Sequence, residues 1–369
     1  MSLASWQSDN FDLLKNRRVI DLILPGTHDS GAYEGKFDFS LPAVVYPQQI
    51  IKFIHNFPVY WNFFEKWSAC QDKNFYEQLK SGIREFDMRF CLASDNKWRL
   101  HHSFVTETID DVIEQFERFF SENPNEVVIW RVSNGGCPKN KYKGWVSFIR
   151  NKTNFNEKIF RAVSKSRAPG YSCYAKWCTY QNMIDENRNI YIITDREVNT
   201  SWTEESKNIK SAEISAEKWV KGLRRDNDAN IFSCNITPSV STYVHGFLCY
   251  GYPIIFLICA IIIAWRLYVI FTSKKSYLWP DKRSSIMKII ADIGIIFILI
   301  FMWIFIGGCT YTNSFLGIKG SATGYQNRMI NVLKKNKYYI RYITSVSMDF
   351  PTDESIRWVI NQNFQQNRY

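Results

Sequence analysis

The chain has 369 residues, 46% of them hydrophobic, and a formal net charge of +11. Such apolar content suffices for a large core and excludes a disordered chain, and the length suits one barrel of ordinary size with insertions. The basic residues are interleaved with aromatics and form no long run, which excludes a nucleic-acid-binding arm and suits a lipid surface or a phosphorylated small substrate. The nine cysteines show neither CxxC nor the His/Cys spacing of a zinc site and read as buried thiols.

In chain order, the strand candidates are VIDLIL (19–24), REFDMRFCLA (84–93), WRLHHSF (98–104), EVVIWRVS (126–133), NIYIITD (189–195), NIFSCNI (230–236) and RYITSVSMDF (341–350). Amphipathic helices lie between several of them. Ile109, Val112, Ile113, Phe116, Phe119 and Phe120 recur at helical spacing, with Thr108 placed to cap the first turn. A further helix is expected over residues 325–335. Repeated strand-helix alternation with apolar strands implies a parallel sheet covered on both faces. At this length an α/β fold of the distorted (β/α)8 TIM barrel type is expected.

Two apolar stretches interrupt that alternation. Gly246 to Trp265 carries no charge, and Ile293 to Ile306 is uncharged within a longer run from Ile289 to Cys309. Each is long enough to cross a hydrocarbon core of roughly 30 Å as a helix. The expectation is therefore an integral membrane protein with a two-span transmembrane hairpin inserted in a late βα loop. Residues 10–245 form the first part of the barrel, 246–310 the hairpin and 311–369 the final part. Lys274, Lys275, Lys282 and Arg283 between the two stretches would place the barrel on the lumenal or extracellular side, but the start MSLASWQSDNFDLLKNRR lacks the apolar stretch of a secretory signal; the barrel is expected on the cytosolic side, with the lumenal or extracellular side as the alternative and the lipid bilayer as a partner.

In a parallel barrel the site lies at the carboxyl ends of the strands. Those ends supply His28 and Asp29, then Asp87 and Arg89, then His101 and His102, then Arg131 and Ser133, then Asp195 and Arg196, and finally Asp349. Asp87 and Arg89 are two apart and share a face, whereas His101 and His102 point to opposite sides, so at most one looks inward. Two histidines, an arginine and carboxylates suit phosphoryl chemistry by acid-base catalysis, one His taking a proton and the other giving one while a guanidinium holds the phosphate.

The segments LPGTHDSGAY, WSACQDKNFYEQLKSGIREFDMRF, RLHHSF and SENPNEVVIW follow one another in the order and spacing of the phosphatidylinositol-specific phospholipase C X-domain family. The resemblance is strong from about Asn10 to Ser133, weaker through NIYIITDREV, and returns at SMDFPTDESIRWVINQN. It implies that His28 is the general base for an inositol 2-hydroxyl, oriented by Asp349. It also implies that Arg89 neutralises the phosphate, that His102 is the general acid supported by Asp29, and that Asp87 positions Arg89. Calcium-using eukaryotic relatives carry an acidic residue at the Arg89 position, so the resemblance implies catalysis without a metal or other cofactor. Ser133 stands where bacterial relatives have an inositol-pocket Lys, while Arg196 matches their fifth-strand Arg, and VNTSWTEES has no clear counterpart in that pocket.

The expected activity is cleavage of phosphatidylinositol or a related inositol lipid to diacylglycerol and an inositol phosphate, through a cyclic phosphate. The alternatives are a glycerophosphodiester- or sphingomyelin-cleaving barrel, against which Arg89 speaks, and an inactive membrane-tethered lipid-binding protein.

Overall fold

Alternation along REFDMRFCLA decides which way the central strand faces. In strand β2 (Glu85–Leu92), Phe86, Met88 and Phe90 are fully buried on one side against helices, while Glu85, Asp87 and Arg89 point to the other side. Phe86 packs on Phe75 and Phe116 with ring centroids 5.7 and 5.1 Å apart, and Trp130 closes the cluster 5.1 Å from Phe116. The computed structural model describes residues 2–33, 56, 68–102, 104–134, 137, 144–161, 177–194, 197–201, 209–224, 228–235 and 317–365.

The remaining strands are β1 (Leu24–Thr27), β3 (Trp98–His102), β4 (Phe104–Thr108), β5 (Val128–Ser133), β6 (Ile159–Arg161), β7 (Ile190–Thr194), β8 (Val198–Thr200), β9 (Ala229–Cys234) and β10 (Ser345–Met348). Eight of them run parallel in the order β6-β7-β5-β2-β1-β10-β9-β8. The expected α/β fold with a parallel, barrel-like sheet is present. Among the described residues β6 and β8 do not pair, so the closed eight-stranded barrel is replaced by a sheet that is open at this seam. β9 pairs in register with β10, Ser345 opposite Ile231 and Met348 opposite Cys234, so the segments on either side of residues 236–316 build one sheet.

The helix over Ile109–Glu122 follows its sequence closely. Thr108 Oγ1 accepts the Asp111 N–H at 3.2 Å, and all six apolar positions of the stripe are buried.

Three further expectations need correction. The run VIDLIL is not a strand from its start. Val19–Asp21 forms a 3-10 turn held by the Arg18 guanidinium on Asp21 at 2.6 and 2.7 Å, and sheet pairing begins at Leu24, whose N–H donates to Thr344 at 2.8 Å. WRLHHSF is not a barrel strand either. The SDNK turn, with Asn96 at φ 60°, folds β3 back antiparallel on the far half of β2, and β4 returns beside it.

The third correction concerns the integral-membrane assignment. Among the described residues no helix is long and apolar enough to cross a membrane. The longest, Gly317–Lys335, has 19 residues but carries Lys319, Arg328, Lys334 and Lys335. The postulated hairpin over 246–310 lies outside the described residues.

Candidate active site

The inner face of the sheet is charged rather than apolar. Glu85 is buried at the level of Gly26, where an added Cβ would come within 2.1 Å of the Glu85 carboxylate and 2.4 Å of the Ser345 hydroxyl. Glycine at this point of LPGTHDS is thus a close-approach residue. Glu85 accepts from Arg131 Nε at 3.0 Å and from Ser345 Oγ at 3.0 Å. One step higher, Asp87 lies 3.3 Å from Arg131 Nη1 and accepts from Arg89 Nη2 at 2.8 Å. Charges of alternating sign, Glu85, Arg131, Asp87 and Arg89, therefore climb the inside of β2 and β5 toward the strand ends.

At the top of this column the sequence-derived residues converge. β1 ends at Thr27, and Asp29 takes a left-handed backbone conformation, φ 41°, which Asp tolerates better than most residues. That twist lets its N–H donate to Asp87 at 3.2 Å while its carboxylate pairs with Arg89. The other Asp29 oxygen, Oδ2, lies 3.1 Å from His102 Nε2 and 3.2 Å from His28 Nε2. Both histidines thus address one carboxylate oxygen, with their rings edge to face and centroids 6.2 Å apart.

Each histidine has a second, orienting partner. His28 Nδ1 lies 2.8 Å from Asp349 Oδ1 and Arg89 Nη2 donates to His28 Nε2 at 2.9 Å, a pattern that places the proton of the neutral ring on Nδ1. His102 Nδ1 donates to the Ser68 carbonyl at 2.7 Å, so a second proton on Nε2 would face Asp29. The His28, Arg89 and His102 side chains are 16%, 20% and 24% exposed, whereas Asp29, Asp87 and Asp349 are at most 1% exposed. An anion entering from solvent would therefore meet the two imidazoles and the guanidinium before any carboxylate.

The electrostatics separate the two rings. Burial opposes the charging of His28, but Asp29 and Asp349 outweigh it and hold its pKa above the ordinary 6.5. At His102 burial prevails, helped by the Arg89 charge, and the pKa falls below 6.5 despite Asp29. Burial would raise Asp87, yet Arg131 and Arg89 overcome it and keep this carboxyl well below the usual range. Arg89 is held charged by Asp29 and Asp87 against the desolvation of its site.

His28, Asp29, Asp87, Arg89, His102 and Asp349 thus form one cluster. Ser133 lies opposite Arg89 in the β2–β5 register and is buried at the edge of that cluster. Arg196 lies outside the described residues. His101 turns away as expected, its Nε2 donating to the Asn134 carbonyl at 3.0 Å, and burial lowers its pKa to about 4.

Sequence reasoning gave no role to Ser68, Cys70, Gln71 or Glu85. Gln71 Nε2 donates to the carbonyls of His28 and Met348 at 2.8 and 3.0 Å, tying the two strand ends together. The signal for the first three was their place in WSACQ, three residues ahead of the helix Phe75–Lys80.

Fold and site together define a barrel-like α/β protein with a cluster of two histidines, an arginine and carboxylates at the carboxyl ends of its strands. No family model matches the chain. A PI-PLC X-box domain-containing protein of Dictyostelium discoideum is 36% identical over 129 residues, which is 35% of this chain and 16% of the relative. Human PI-PLC X domain-containing protein 2 is 30% identical over 129 residues, 34% of this chain and 41% of the relative. A 1-phosphatidylinositol phosphodiesterase of Staphylococcus aureus is 25% identical over 130 residues, 35% of this chain and 33% of the relative. The chain spans between about a sixth and two fifths of the length of these relatives. Among solved structures, the phosphatidylinositol-specific phospholipase C of Listeria monocytogenes superposes with a TM-score of 0.50 at 14% identity, covering 98% of this chain and 99% of that one. The chain is thus a sequence relative of the PI-PLC X-domain proteins and shares its fold with a bacterial PI-PLC, as the motifs had implied.

Proposed function

We propose that the chain is a phosphatidylinositol-specific phospholipase C-like phosphodiesterase, cleaving phosphatidylinositol or a related inositol lipid to diacylglycerol and a cyclic inositol phosphate. The observation that carries this reading is the convergence of His28 Nε2 and His102 Nε2 on Asp29, with Arg89 beside them. In this scheme His28 Nε2 takes the proton of the inositol 2-hydroxyl, whose oxygen attacks phosphorus. The bond from phosphorus to the diacylglycerol oxygen breaks, and His102 Nε2 gives that oxygen its proton. Asp349 holds the His28 ring by Nδ1, and Arg89 turns from His28 to the phosphate oxygens. Asp87 fixes Arg89 from behind, while Ser133 and Arg196 are assigned to the head group.

Attack by the substrate's own hydroxyl requires no activated water, and Arg89 supplies the positive charge that a cation would otherwise bring. The proposed reaction is accordingly metal-independent. Support for the substrate class comes from relatives named 1-phosphatidylinositol phosphodiesterase and PI-PLC X domain-containing protein. The test is product analysis on a panel of phosphoinositides in mixed micelles, with and without a chelator. Diacylglycerol and cyclic inositol phosphate released equally in both is the expected result. Loss of activity on chelation would sink the metal-free scheme, and cleavage of sphingomyelin or glycerophosphodiesters in preference to inositol lipids would sink the substrate assignment.

A further inference from the structure

We infer that Cys70, His102 and Asp29 form a site for a thiophilic divalent cation of the Zn2+ type, and that its occupation switches the catalytic centre off. Cys70 is buried beside the two-histidine cluster, and the proposed reaction gives it no task. Its Sγ lies 3.9 Å from Asp29 Oδ2 and 3.6 Å from the His102 ring at Nδ1. Since Ser68 takes Nδ1, the ring nitrogen left for a ligand is Nε2, 3.1 Å from the same Asp29 oxygen. One donor atom from each of the three residues lies within 4.8 Å of the others.

Tetrahedral zinc with bonds of about 2.0–2.3 Å sets its ligand atoms roughly 3.3–3.8 Å apart. The Asp29–His102 and Asp29–Cys70 separations of 3.1 and 3.9 Å bracket that span, so the Asp29 oxygen is placed to share one cation with either partner. The donor set is a thiol, an imidazole and one carboxylate oxygen, which suits zinc and is poor for calcium or magnesium, both of which prefer oxygen ligands throughout. Arg89 does not occupy the position, because it pairs with the other Asp29 oxygen, Oδ1. Binding replaces the Cys70 S–H bond by a metal–sulfur bond and releases the proton to solvent.

The inhibitory consequence rests on the proposed function. A cation on His102 Nε2 occupies the nitrogen that must carry the proton for the leaving group, and it ties down Asp29. Zn2+ should therefore inhibit where Ca2+ and Mg2+ at equal concentration do not.

The site can be tested apart from the activity. Co2+ titrated into the full chain should give thiolate-to-cobalt absorption that stoichiometric Zn2+ displaces. Cys70→Ser should abolish that absorption and weaken Zn2+ binding at least tenfold by calorimetry, and His102→Gln should weaken it similarly, with far-ultraviolet circular dichroism confirming that each variant is folded. In the lipid assay, the Zn2+ concentration for half inhibition should rise at least tenfold in Cys70→Ser, read as a ratio to that variant's own zinc-free rate. Cobalt binding without thiolate absorption, or a Cys70→Ser protein that binds Zn2+ as tightly as the parent, would overturn the site. A chain that binds zinc through Cys70 yet cleaves no inositol lipid would leave the site standing and remove the proposed function instead.

Discussion

Replacing Gly26 by alanine tests whether the charged column beneath the histidines is structural. The new Cβ would sit 2.1 Å from Glu85 Oε2 and 2.4 Å from Ser345 Oγ, both far inside contact distance. Neither neighbour is the free end of a surface side chain, because Glu85 and Ser345 are fully buried and bonded to each other at 3.0 Å. If Glu85 swings aside but keeps Arg131, the loss is that of overpacking, about 1–3 kcal/mol. If the swing breaks the Arg131–Glu85 pair, the loss approaches the value for an orphaned buried charge, about 3–5 kcal/mol. Urea unfolding should therefore show Gly26→Ala destabilised by about 2–4 kcal/mol, a large part of the stability of an ordinary domain. In a Glu85→Ala background the same substitution should be milder by at least about 1 kcal/mol, since the nearest obstacle is gone. The disturbance should also reach activity through Arg131, Asp87 and Arg89. A loss below about 1 kcal/mol, or strict additivity with Glu85→Ala, would refute the close-approach argument.

Other consequences follow from the same geometry. His28→Ala and His102→Ala should each lower turnover on phosphatidylinositol by at least roughly 10²-fold while leaving the far-ultraviolet spectrum unchanged, and near-normal rates in either would remove its assignment. Asp349→Asn takes away one of the two charges that hold the His28 pKa up; because the base His28 titrates above the acid His102, His28 sets the alkaline limb of kcat/KM, and that limb should move to lower pH as turnover falls; an unmoved limb would argue that Asp349 does not govern His28. For stability, folding favours the proton on His28, so its contribution is present below pH 6.5 and fades as pH rises through the higher folded value. His101 behaves oppositely, because folding holds it neutral from 6.5 down to about 4 and acid in that interval should destabilise the protein by about 3 kcal/mol. His101→Asn should flatten that part of the stability curve, and a curve as steep as the parent's would place the effect on other groups.

The parts of the site that were legible in sequence are those where one strand's alternation carries the information. Asp87 and Arg89 in FDMRF had to share a face, and His101 and His102 had to part, whatever the surrounding fold. The helix at 109–122 was equally plain, its stripe and its Thr108 cap both being local. What escaped depends on neighbours distant in sequence. VIDLIL has the composition of a strand, but Arg18 and Asp21 grip each other, and no pattern within the run reports that. The antiparallel course of β3 was written in the SDNK turn, yet the expectation of unbroken βα alternation overrode it. The apolar stretches at 246–309 dominated the hydropathy and led to a membrane assignment that no helix among the described residues supports.

Glu85 and Cys70 show a subtler failure. A buried glutamate in a strand reads as a solvent-facing position until Arg131 and Ser345 are brought to it by two other strands. Nine scattered cysteines without metal-ligand spacing exclude a zinc motif in sequence, but they say nothing of a thiol that the chain folds against a histidine 32 residues away. In a parallel sheet the inner face is assembled from residues one per strand end, so spacing along the chain cannot encode it. Gly26 is the exception that ties the two scales together. A single missing side chain in LPGTHDS makes room for the carboxylate on which Arg131, and through it the arginine beside the two histidines, depends.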